Sequence, residues 1–433
     1  MHDDNAEINR GEISLGIALL PLVTMVGLFA LGAAFTNLGG ELLILVMLAA
    51  AAVATVAAQR VGKSWDDVQR STGDKFAAVL PAVLILLSIG LLIGTWVVSG
   101  TIPVLVFYGL KIVDPAYLVL TAFLATAAMS ICTGTSWGSA GTIGVALMGM
   151  AAALDAPLGA TAGAVVSGAY FGDKLSPLSD STNISAIGAG SNLYSHIRHM
   201  LYTAVPSFVI ATCVYAAVDV PAGSDALGKN RLLADLDTIY SFSPIVLLPL
   251  VVVVVGIVSR TPPVIAMTAS SVVAALVGVW LQDFSLESAL LAGVNGFDVS
   301  MLADKQLTPT SFGEDTASLL NRGGLYSMVN TLLVIIAAFL LAGAMDVSGA
   351  LDRLIGGLLA AVRSTFGLIA ATMAAGTTMI SLTSHGGVTA LVVGELFQKA
   401  YDERDLARVN LSRSLEDSIT IVEPLMPWTV SAV

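Results

Sequence analysis

Two polar stretches lie among long apolar runs, and each combines carboxylates, hydroxyl groups and proline. The first runs from Gly172 to Asn183 and reads GDKLSPLSDSTN. The second runs from Ser414 to Trp428 and reads SLEDSITIVEPLMPW. Because carboxylate and neutral oxygen atoms are the ligands that hard cations prefer in proteins, both stretches are candidate cation sites.

The first stretch places one carboxylate at the start of a predicted short helix. Ionisable residues at membrane depth cost roughly 2.5–3.5 kcal/mol each and usually mark ion or proton paths, which favours Asp180 as a ligand. The alternative is an N-cap in a surface loop, since aspartate is a good cap. Three residues that follow Asp180 offer neutral oxygens to the same cation: Ser181, Thr182 and Asn183.

A proline interrupts this stretch. Pro177 has no backbone N–H and disfavours helix at Ser176, so we predict a broken helix over 159–190. Unpaired backbone in hydrocarbon costs several kcal/mol per group, so the break must be buried in protein or line a watery cavity. Asp173 and Lys174, just before it, either belong to the site, pair with each other or face water.

The second stretch carries the same kinds of side chain and the same kind of break. Asp417, together with Asp180, is a candidate direct sodium ligand. For Glu416 a helix-terminal salt bridge to the basic run ending at Arg413 is an alternative to a ligand role. The polar residues are Glu416, Asp417, Ser418, Thr420 and Glu423, and the prolines are Pro424 and Pro427.

One histidine lies inside a predicted membrane span. His385 can exchange protons near neutral pH, which makes it a candidate for proton coupling, with a hydrogen-bonded packing role as the alternative. His196 and His199 fall in flanking segments and are assigned no chemistry. Cys132 and Cys213 lack metal-ligand spacing and are interpreted as small core residues without a disulfide.

The composition excludes most soluble classes of protein. Hydrophobic residues make up 56% of the 433 and charged residues 12%, whereas soluble domains have roughly 45–50% and 25%. The net charge of −12 does not suggest a nucleic-acid partner. Apolar runs long enough to cross a lipid bilayer recur along the chain, so we predict an all-α polytopic membrane protein.

About thirteen membrane segments are predicted, and the charges in the loops orient them. Basic residues cluster in the loop 59–75, which the positive-inside rule places in the cytoplasm, as in a prokaryotic inner membrane, with loops 220–241 and 282–326 outside. The predicted segments are 13–35, 41–58, 76–98, 116–132, 136–154, 159–190, 199–219, 242–258, 262–281, 327–345, 366–382, 385–398 and 412–433.

Short sequence matches indicate an internal duplication. GTWVVSG from Gly94 and GAMDVSG from Gly343 are 249 residues apart, and TSWG from Thr135 and TSHG from Thr383 are 248 apart. The predicted orientation places the two copies in opposite directions across the membrane. Inverted repeats of this kind are common in secondary transporters, whose sites lie where broken helices meet near the midplane.

At these motifs the sequence resembles the NhaC-type sodium/proton antiporter family. The resemblance implies an ion-transporter fold of two inverted repeats and alternating access with sodium or proton bound in turn. The site residues that it implies are Asp173, Ser176, Asp180, Thr182, Asn183, Glu416, Asp417 and Ser418. The matching stretches are GTWVVSGTIP, TGTSWGSAGTIGVALMGM, SGAYFGDKLSPLSDSTN, SHIRHMLYTAVP and NLSRSLEDS.

The second half departs from the family pattern. These departures leave the predicted fold unchanged, but ion choice and coupling do not follow from the resemblance. The family pattern has an aspartate and an aromatic residue near 385–387, Gly-Thr at 419–420, a serine at Glu423 and an asparagine at Thr429. By analogy with the first repeat, we expect that at least one closing helix is missing after Val433, so either the chain is truncated or the protein departs further from the family. The predicted divisions are an N-terminal helix pair with its cytoplasmic loop over 1–75, a first repeat over 76–219, connecting helices and loops over 220–326, and a second repeat over 327–433.

The sequence therefore predicts a secondary active transporter rather than an enzyme, since no hydrolase, zinc-protease or P-loop motif is present. Sodium/proton antiport is the leading function, and a malate/lactate type of carboxylate exchanger is the alternative. A channel is disfavoured by the inverted repeats. The expected partners are sodium, protons and the bilayer, no cofactor is expected, and a homodimer is one compatible assembly.

Overall fold

The computed structural model of the chain is helical wherever it describes regular structure. It describes residues 13–35, 40–112, 114–154, 156–177, 179–218, 226–259, 261–350, 353, 362–383, 386–426 and 429. The all-α architecture predicted from composition is confirmed for these residues. The α-helices are Leu15–Phe35, Gly40–Arg60, Trp65–Val98, Thr101–Ile112, Leu118–Thr133, Ser136–Ser139, Val145–Ala153, Leu158–Leu175, Asp180–Gly188, Leu193–Ala216, Ala226–Ile239, Leu248–Val258, Pro263–Leu281, Leu286–Asn295, Glu314–Leu320, Val329–Val347, Thr365–Thr383, Gly386–Asp402 and Arg408–Ser418.

Shorter helical turns connect several of these elements. A π-helix over Ala140–Gly144 joins Ser136–Ser139 to Val145–Ala153, and wider π turns of this kind are frequent at functional sites. The 3₁₀-helices are Pro115–Tyr117, Pro244–Leu247, Val299–Lys305, Pro309–Ser311, Leu325–Met328 and Glu423–Leu425.

Several helices have the length and composition of membrane spans. Of the described helices, five pass this test, and two sharply bent pairs raise the number to seven if each pair is one span. One bent pair joins Val83–Val98 to Thr101–Ile112 at 72°. The polytopic membrane class is therefore confirmed, while the division into thirteen segments and the inverted repeat stay predictions.

The two copies of the GxxxVSG motif form the same kind of turn. In the first copy the helix ends at Val98, Ser99 Oγ donates to Trp96 O, and Gly100 has φ 79°. In the second copy Ser348 Oγ donates to Met345 O and Gly349 has φ 72°. Because glycine adopts positive φ without the steric cost of a Cβ atom, the motif specifies a helix end.

The chain divides into two compact units. Unit 1 consists of Met1–Ala82, Ser181–His199 and Asn330–Val433, and unit 2 consists of Val83–Asp180 and Met200–Val329. The four divisions predicted along the sequence stay a prediction, because they follow chain order and these units follow spatial proximity.

The core of unit 1 is built largely from small residues. Ala50, Ala54 and Ala338 are fully buried together with large side chains such as Phe397. Gly343 lies directly against the backbone of Thr72, which a side chain at that position would overlap. Small residues allow membrane helices to approach closely, so packing rather than hydrophobic burial holds these helices together.

The core of unit 2 contains more aromatic residues and a buried hydrogen-bond chain. Trp96 Nε1 donates to Ser270 Oγ at 2.9 Å, and Ser270 Oγ donates to the carbonyl of Pro249 at 2.7 Å. Each of the two polar side chains thus has a partner in an apolar interior, as buried polar groups require. This chain fixes helix Pro263–Leu281 against the first GxxxVSG motif.

Candidate functional site

The predicted break in the first polar stretch is present, and it is shorter than the sequence suggested. The N-terminal half-helix, Leu158–Leu175, ends at Ser176, whose backbone is extended. The C-terminal half-helix, Asp180–Gly188, begins four residues later. Ser176 N donates to Asp173 O at 3.0 Å, so the backbone satisfies part of its own bonding at the break.

The motif SGAYFG before the break positions the N-terminal half-helix. Gly168 and Gly172 are spaced as in GxxxG, and a Cβ atom on either would overlap backbone of helix Leu118–Thr133. Ser130 Oγ of that helix donates to Ala169 O at 2.6 Å. The half-helix is therefore locked against its neighbour immediately before Asp173.

Asp173 and Lys174 are both buried at the end of this half-helix. The interpretation in which these side chains face water is wrong, because the close packing around Gly172 encloses the last turn. Ser176 is fully buried as well. All three residues belong to unit 2.

The C-terminal half-helix presents hydroxyl groups to the interior of unit 1. Thr182 and Ser185 are buried, while Ser181 and Asn183 are partly buried. Ser181 Oγ lies 3.4 Å from Glu416 Oε1, a long hydrogen bond that joins the two polar stretches. The structure thus brings together two residues that the sequence analysis named separately.

Glu416 lies in helix Arg408–Ser418, which we call the carboxylate helix, and it has no exposed surface. Ser181 is one of the neighbours of its carboxylate. The alternative role of Glu416, a salt bridge to the basic run ending at Arg413, stays a prediction. The carboxylate and the neighbouring hydroxyl group both offer oxygen atoms, the ligand type that hard cations take in proteins.

Ser418 ends the carboxylate helix and is buried. Its Oγ donates to Ser414 O at 2.6 Å, and its carbonyl accepts from Thr377 Oγ1 at 3.2 Å. These two contacts fix the last turn of the helix against helix Thr365–Thr383. The position of Glu416, two residues earlier, is thereby fixed as well.

The carboxylate helix ends at Ser418, before the two prolines that were predicted to supply the break. Residues 419–422 form turns, and the 3₁₀-helix Glu423–Leu425 follows, with Pro424 inside it. Glu423 is buried, with its carboxylate beside Gly386, and Thr420 is buried too. Asp417, which follows Glu416 in the sequence, is partly buried.

Two predicted site features lie outside the described part of the chain. They are the side chain of Asp180, whose backbone starts the C-terminal half-helix, and all of His385. Among the described residues, no three histidine, cysteine or carboxylate side chains are grouped so as to hold a metal ion.

One histidine that was predicted to lie in a flanking segment is buried. His196 was assigned to a flanking segment, but it is fully buried and its Nδ1 lies 2.8 Å from Ser412 Oγ of the carboxylate helix. Met200, one helical turn later, is also fully buried. Residues four positions apart lie on the same face of a helix, so the spacing of His196 and Met200 in the sequence indicates that both lie on the buried face of helix Leu193–Ala216.

Arg408 connects the carboxylate helix to the end of the C-terminal half-helix. Its guanidinium donates to Gln398 Oε1 at 2.6 Å, and Gln398 Nε2 donates to the carbonyl of Gly188 at 2.8 Å. A second contact brings Gly188 against the backbone of Ala390, where a Cβ atom would lie 2.5 Å from the carbonyl oxygen. The half-helix that carries Ser181 is therefore fixed at its far end.

The interpretation of both cysteines as core residues is wrong. Cys132 and Cys213 are free thiols with exposed side chains. Both lie on the outer surface of apolar helices. Hydropathy along the sequence does not distinguish a residue on that surface from a residue in the core.

Comparison with known proteins identifies the family. The model of the Na+/H+ antiporter family matches residues 11–189 and 168–433. An uncharacterized Na(+)/H(+) antiporter of Haemophilus influenzae is 44% identical over 418 residues, which cover 96% of this chain and 88% of that protein. Na(+)/H(+) antiporter NhaC of Bacillus subtilis is 33% identical over 390 residues, which cover 89% and 83%.

A third relative transports other solutes. The malate-2H(+)/Na(+)-lactate antiporter of Bacillus subtilis is 30% identical over 377 residues, which cover 86% of this chain and 78% of that protein. The resemblance to NhaC-type antiporters is confirmed, and the matches together with the apolar helices show a multi-pass transport protein of the cell membrane. The chain belongs to the Na+/H+ antiporter family.

Proposed function

We propose that this protein is a sodium/proton antiporter whose cation site contains the carboxylate of Glu416. The observation that carries this proposal is the complete burial of Glu416 next to Ser181 Oγ of the C-terminal half-helix. Burial disfavours the charged form of a carboxylate, which favours a bound proton or a bound cation at that carboxylate. Sodium and a proton can each bind the same carboxylate oxygens.

Competition for one carboxylate is enough to couple the two ions. Binding of sodium displaces the proton, and binding of a proton releases sodium, so the site is occupied by one ion at a time. If the site opens to one side of the membrane at a time, each cycle exchanges one ion species for the other. Broken helices such as Asp180–Gly188 suit this role, because they carry polar backbone into the membrane at the site.

The other ligands in this proposal come from the sequence analysis. Ser181 and Thr182 supply hydroxyl oxygens near the start of the C-terminal half-helix. Sodium ligation by Asp180 and Asp417 and proton coupling by His385 also remain sequence-based proposals. The same applies to Asp173, Ser176, Asn183 and Ser418, and to a homodimeric assembly.

The proposal is tested by following intravesicular pH in proteoliposomes while sodium is added at several pH values. Wild type should show sodium-driven proton movement, and Glu416→Gln and Asp180→Asn should reduce it to background. Ser181→Ala removes one hydrogen bond of about 1 kcal/mol, so half-saturation should need roughly fivefold more sodium. Glu403→Gln, which changes an exposed carboxylate, is the matched control and should behave as wild type.

Two outcomes would contradict the proposal. Folded wild type that responds to neither sodium nor lithium is no sodium/proton antiporter. Undiminished exchange in folded Glu416→Gln would place the cation site elsewhere.

A second candidate function is sodium- and proton-coupled exchange of carboxylates. The relative that carries malate and lactate supports it, at 30% identity over most of the chain. Counterflow of radiolabelled malate or lactate in the same proteoliposomes distinguishes the two functions. Uptake that depends on internal carboxylate would favour this candidate, and its absence beside sodium-driven proton movement would favour the first.

A further inference from the structure

Unit 2 contains a cavity of about 460 Å³ that the proposed ion site does not use. This volume falls within the roughly 300–1,000 Å³ typical of sites for small ligands. Most of its wall is hydrocarbon, contributed by residues such as Ile93, Val145, Met148, Val166 and Met328. The cavity therefore suits a ligand with an apolar part.

One cation lines this apolar cavity. Arg322 Nη2 donates to the carbonyl of Ser318 at 2.9 Å, and Arg322 forms no ion pair within the part of the chain that the structure describes. Burial holds the pKa of the Arg322 guanidinium below its ordinary value, yet an arginine stays protonated in proteins. A partly buried positive charge that forms no ion pair among the described residues is stabilised by an anion that reaches it.

Hydrogen bonds and close contacts of the backbone fix the position of Arg322. Its carbonyl accepts from Phe297 N at 3.0 Å, and Gly324 N donates to Gly90 O at 2.7 Å. Gly323 and Gly324 have φ of 82° and 86°, and a Cβ atom on either would overlap neighbouring backbone. The backbone that carries the guanidinium is thus held in one conformation, so little backbone entropy is lost when a ligand binds.

The position of Arg322 along the chain indicates which kind of anion it meets. It lies three residues before Leu325–Val347, a helix with the length and composition of a membrane span. Basic residues at the ends of spans lie at the depth of lipid head groups, and acyl chains are adjacent to the apolar helices. A head-group anion at Arg322 would therefore have its acyl chain beside the apolar wall.

We propose that this cavity binds an anionic phospholipid, with the head-group phosphate at the Arg322 guanidinium and one acyl chain against the apolar wall. Arginine matches phosphate geometry with two parallel hydrogen bonds, and one of its donors is already held by Ser318. This lipid site is independent of sodium/proton exchange.

Thermal unfolding of the purified full-length protein in detergent tests the proposal. Phosphatidylglycerol and phosphatidylcholine with the same acyl chains are titrated separately, and apparent affinities are taken from the rise in Tm. Wild type should be stabilised more by phosphatidylglycerol. Arg322→Gln should bind it roughly fivefold more weakly, the expected loss for one basic residue at a lipid surface. Arg198→Gln, which removes an exposed arginine, should bind as wild type does.

Two further variants keep the test decisive if Arg322→Gln folds poorly. Arg322→Lys keeps the charge and should retain a preference for phosphatidylglycerol. Ala162→Phe fills the cavity while leaving Arg322 in place, and it should also lose that preference. Equal stabilisation of wild type by both lipids, or an equal loss in Arg198→Gln, would overturn the proposal. Octyl phosphate acting as strongly as the lipid would instead assign the cavity to a soluble amphiphilic anion.

Discussion

Asp402 and Arg408 form an ion pair through two hydrogen bonds, and this pair orients the guanidinium that reaches Gln398. Arg408 Nη2 donates to Asp402 Oδ2 at 2.7 Å, and Arg408 Nε donates to Asp402 Oδ1 at 3.1 Å. The third contact of Arg408, to Gln398, continues to the carbonyl of Gly188. A surface ion pair thus helps to position the half-helix that carries Ser181.

The charge of Asp402 sets a pH dependence for this pair. Hydrogen bonds from Arg408 hold the pKa of Asp402 below its ordinary value of 3.8. A carboxyl whose pKa is lower in the folded state stabilises the fold above its unfolded pKa, and this contribution is lost as the pH falls through the folded pKa. Asp402→Asn should therefore lower Tm at pH 7, with a difference from wild type that shrinks as the pH falls below 3.8 through the folded pKa.

The measurement is a series of unfolding curves in detergent from pH 7 down to pH 2. Glu403→Gln serves as the control, because Glu403 is exposed and its carboxylate lies 3.8 Å from Lys399 Nζ in an exposed pair. A Tm difference for Asp402→Asn that persists unchanged in acid would mean that the asparagine acts by packing and not by charge.

Two glycines in the SGAYFG motif allow the N-terminal half-helix to pack closely against its neighbour. Gly172 immediately precedes Asp173, and a methyl group there would overlap the carbonyl of Ala127 and press on Ser130. Helices at such close range cannot separate without moving the break. The SGAYFG motif therefore sets the position of the polar break relative to helix Leu118–Thr133.

Two alanine substitutions in the same half-helix should have opposite effects. Gly172→Ala should destabilise the protein by about 1–3 kcal/mol, the usual cost of overpacking a close contact. A Cβ atom at Gly159 has no other atom within 4 Å. Gly159→Ala should therefore stabilise the helix by up to about 1 kcal/mol, since alanine is the better helix former. Unfolding curves of the two variants measure this, and a neutral Gly172→Ala would show that the helices are not packed at this distance.

The sequence predicted those structural elements that are determined by residues within the same segment. Pro177 located the first break, and hydropathy located most long helices to within a few residues. The end of the helix at Val98 was predicted, but the helix Thr101–Ile112 that follows it was not. The pairing of Ser181 with Glu416 and that of His196 with Ser412 could not be predicted, since each joins residues more than two hundred positions apart.

At the scale of the whole molecule, ion binding and folding stability are linked. A ligand that binds only the folded state raises its stability by an amount that grows with ligand concentration, about 2.7 kcal/mol at a hundredfold excess over Kd. Because protons and sodium compete for Glu416 in the proposed mechanism, that stabilisation must shrink as the pH falls. An antiporter site thus has a thermodynamic signature that needs no membrane potential or vesicle.

Unfolding of the purified protein should therefore show a rise in Tm with sodium chloride that is absent with choline chloride at equal ionic strength. Because protons occupy the carboxylate more fully in acid, more sodium should be needed at pH 6 than at pH 8 for the same rise. Glu416→Gln should abolish the sodium-specific rise, while Glu403→Gln should keep it. A rise equal for sodium and choline would reflect ionic strength alone, and a sodium effect independent of pH would separate sodium binding from the proton.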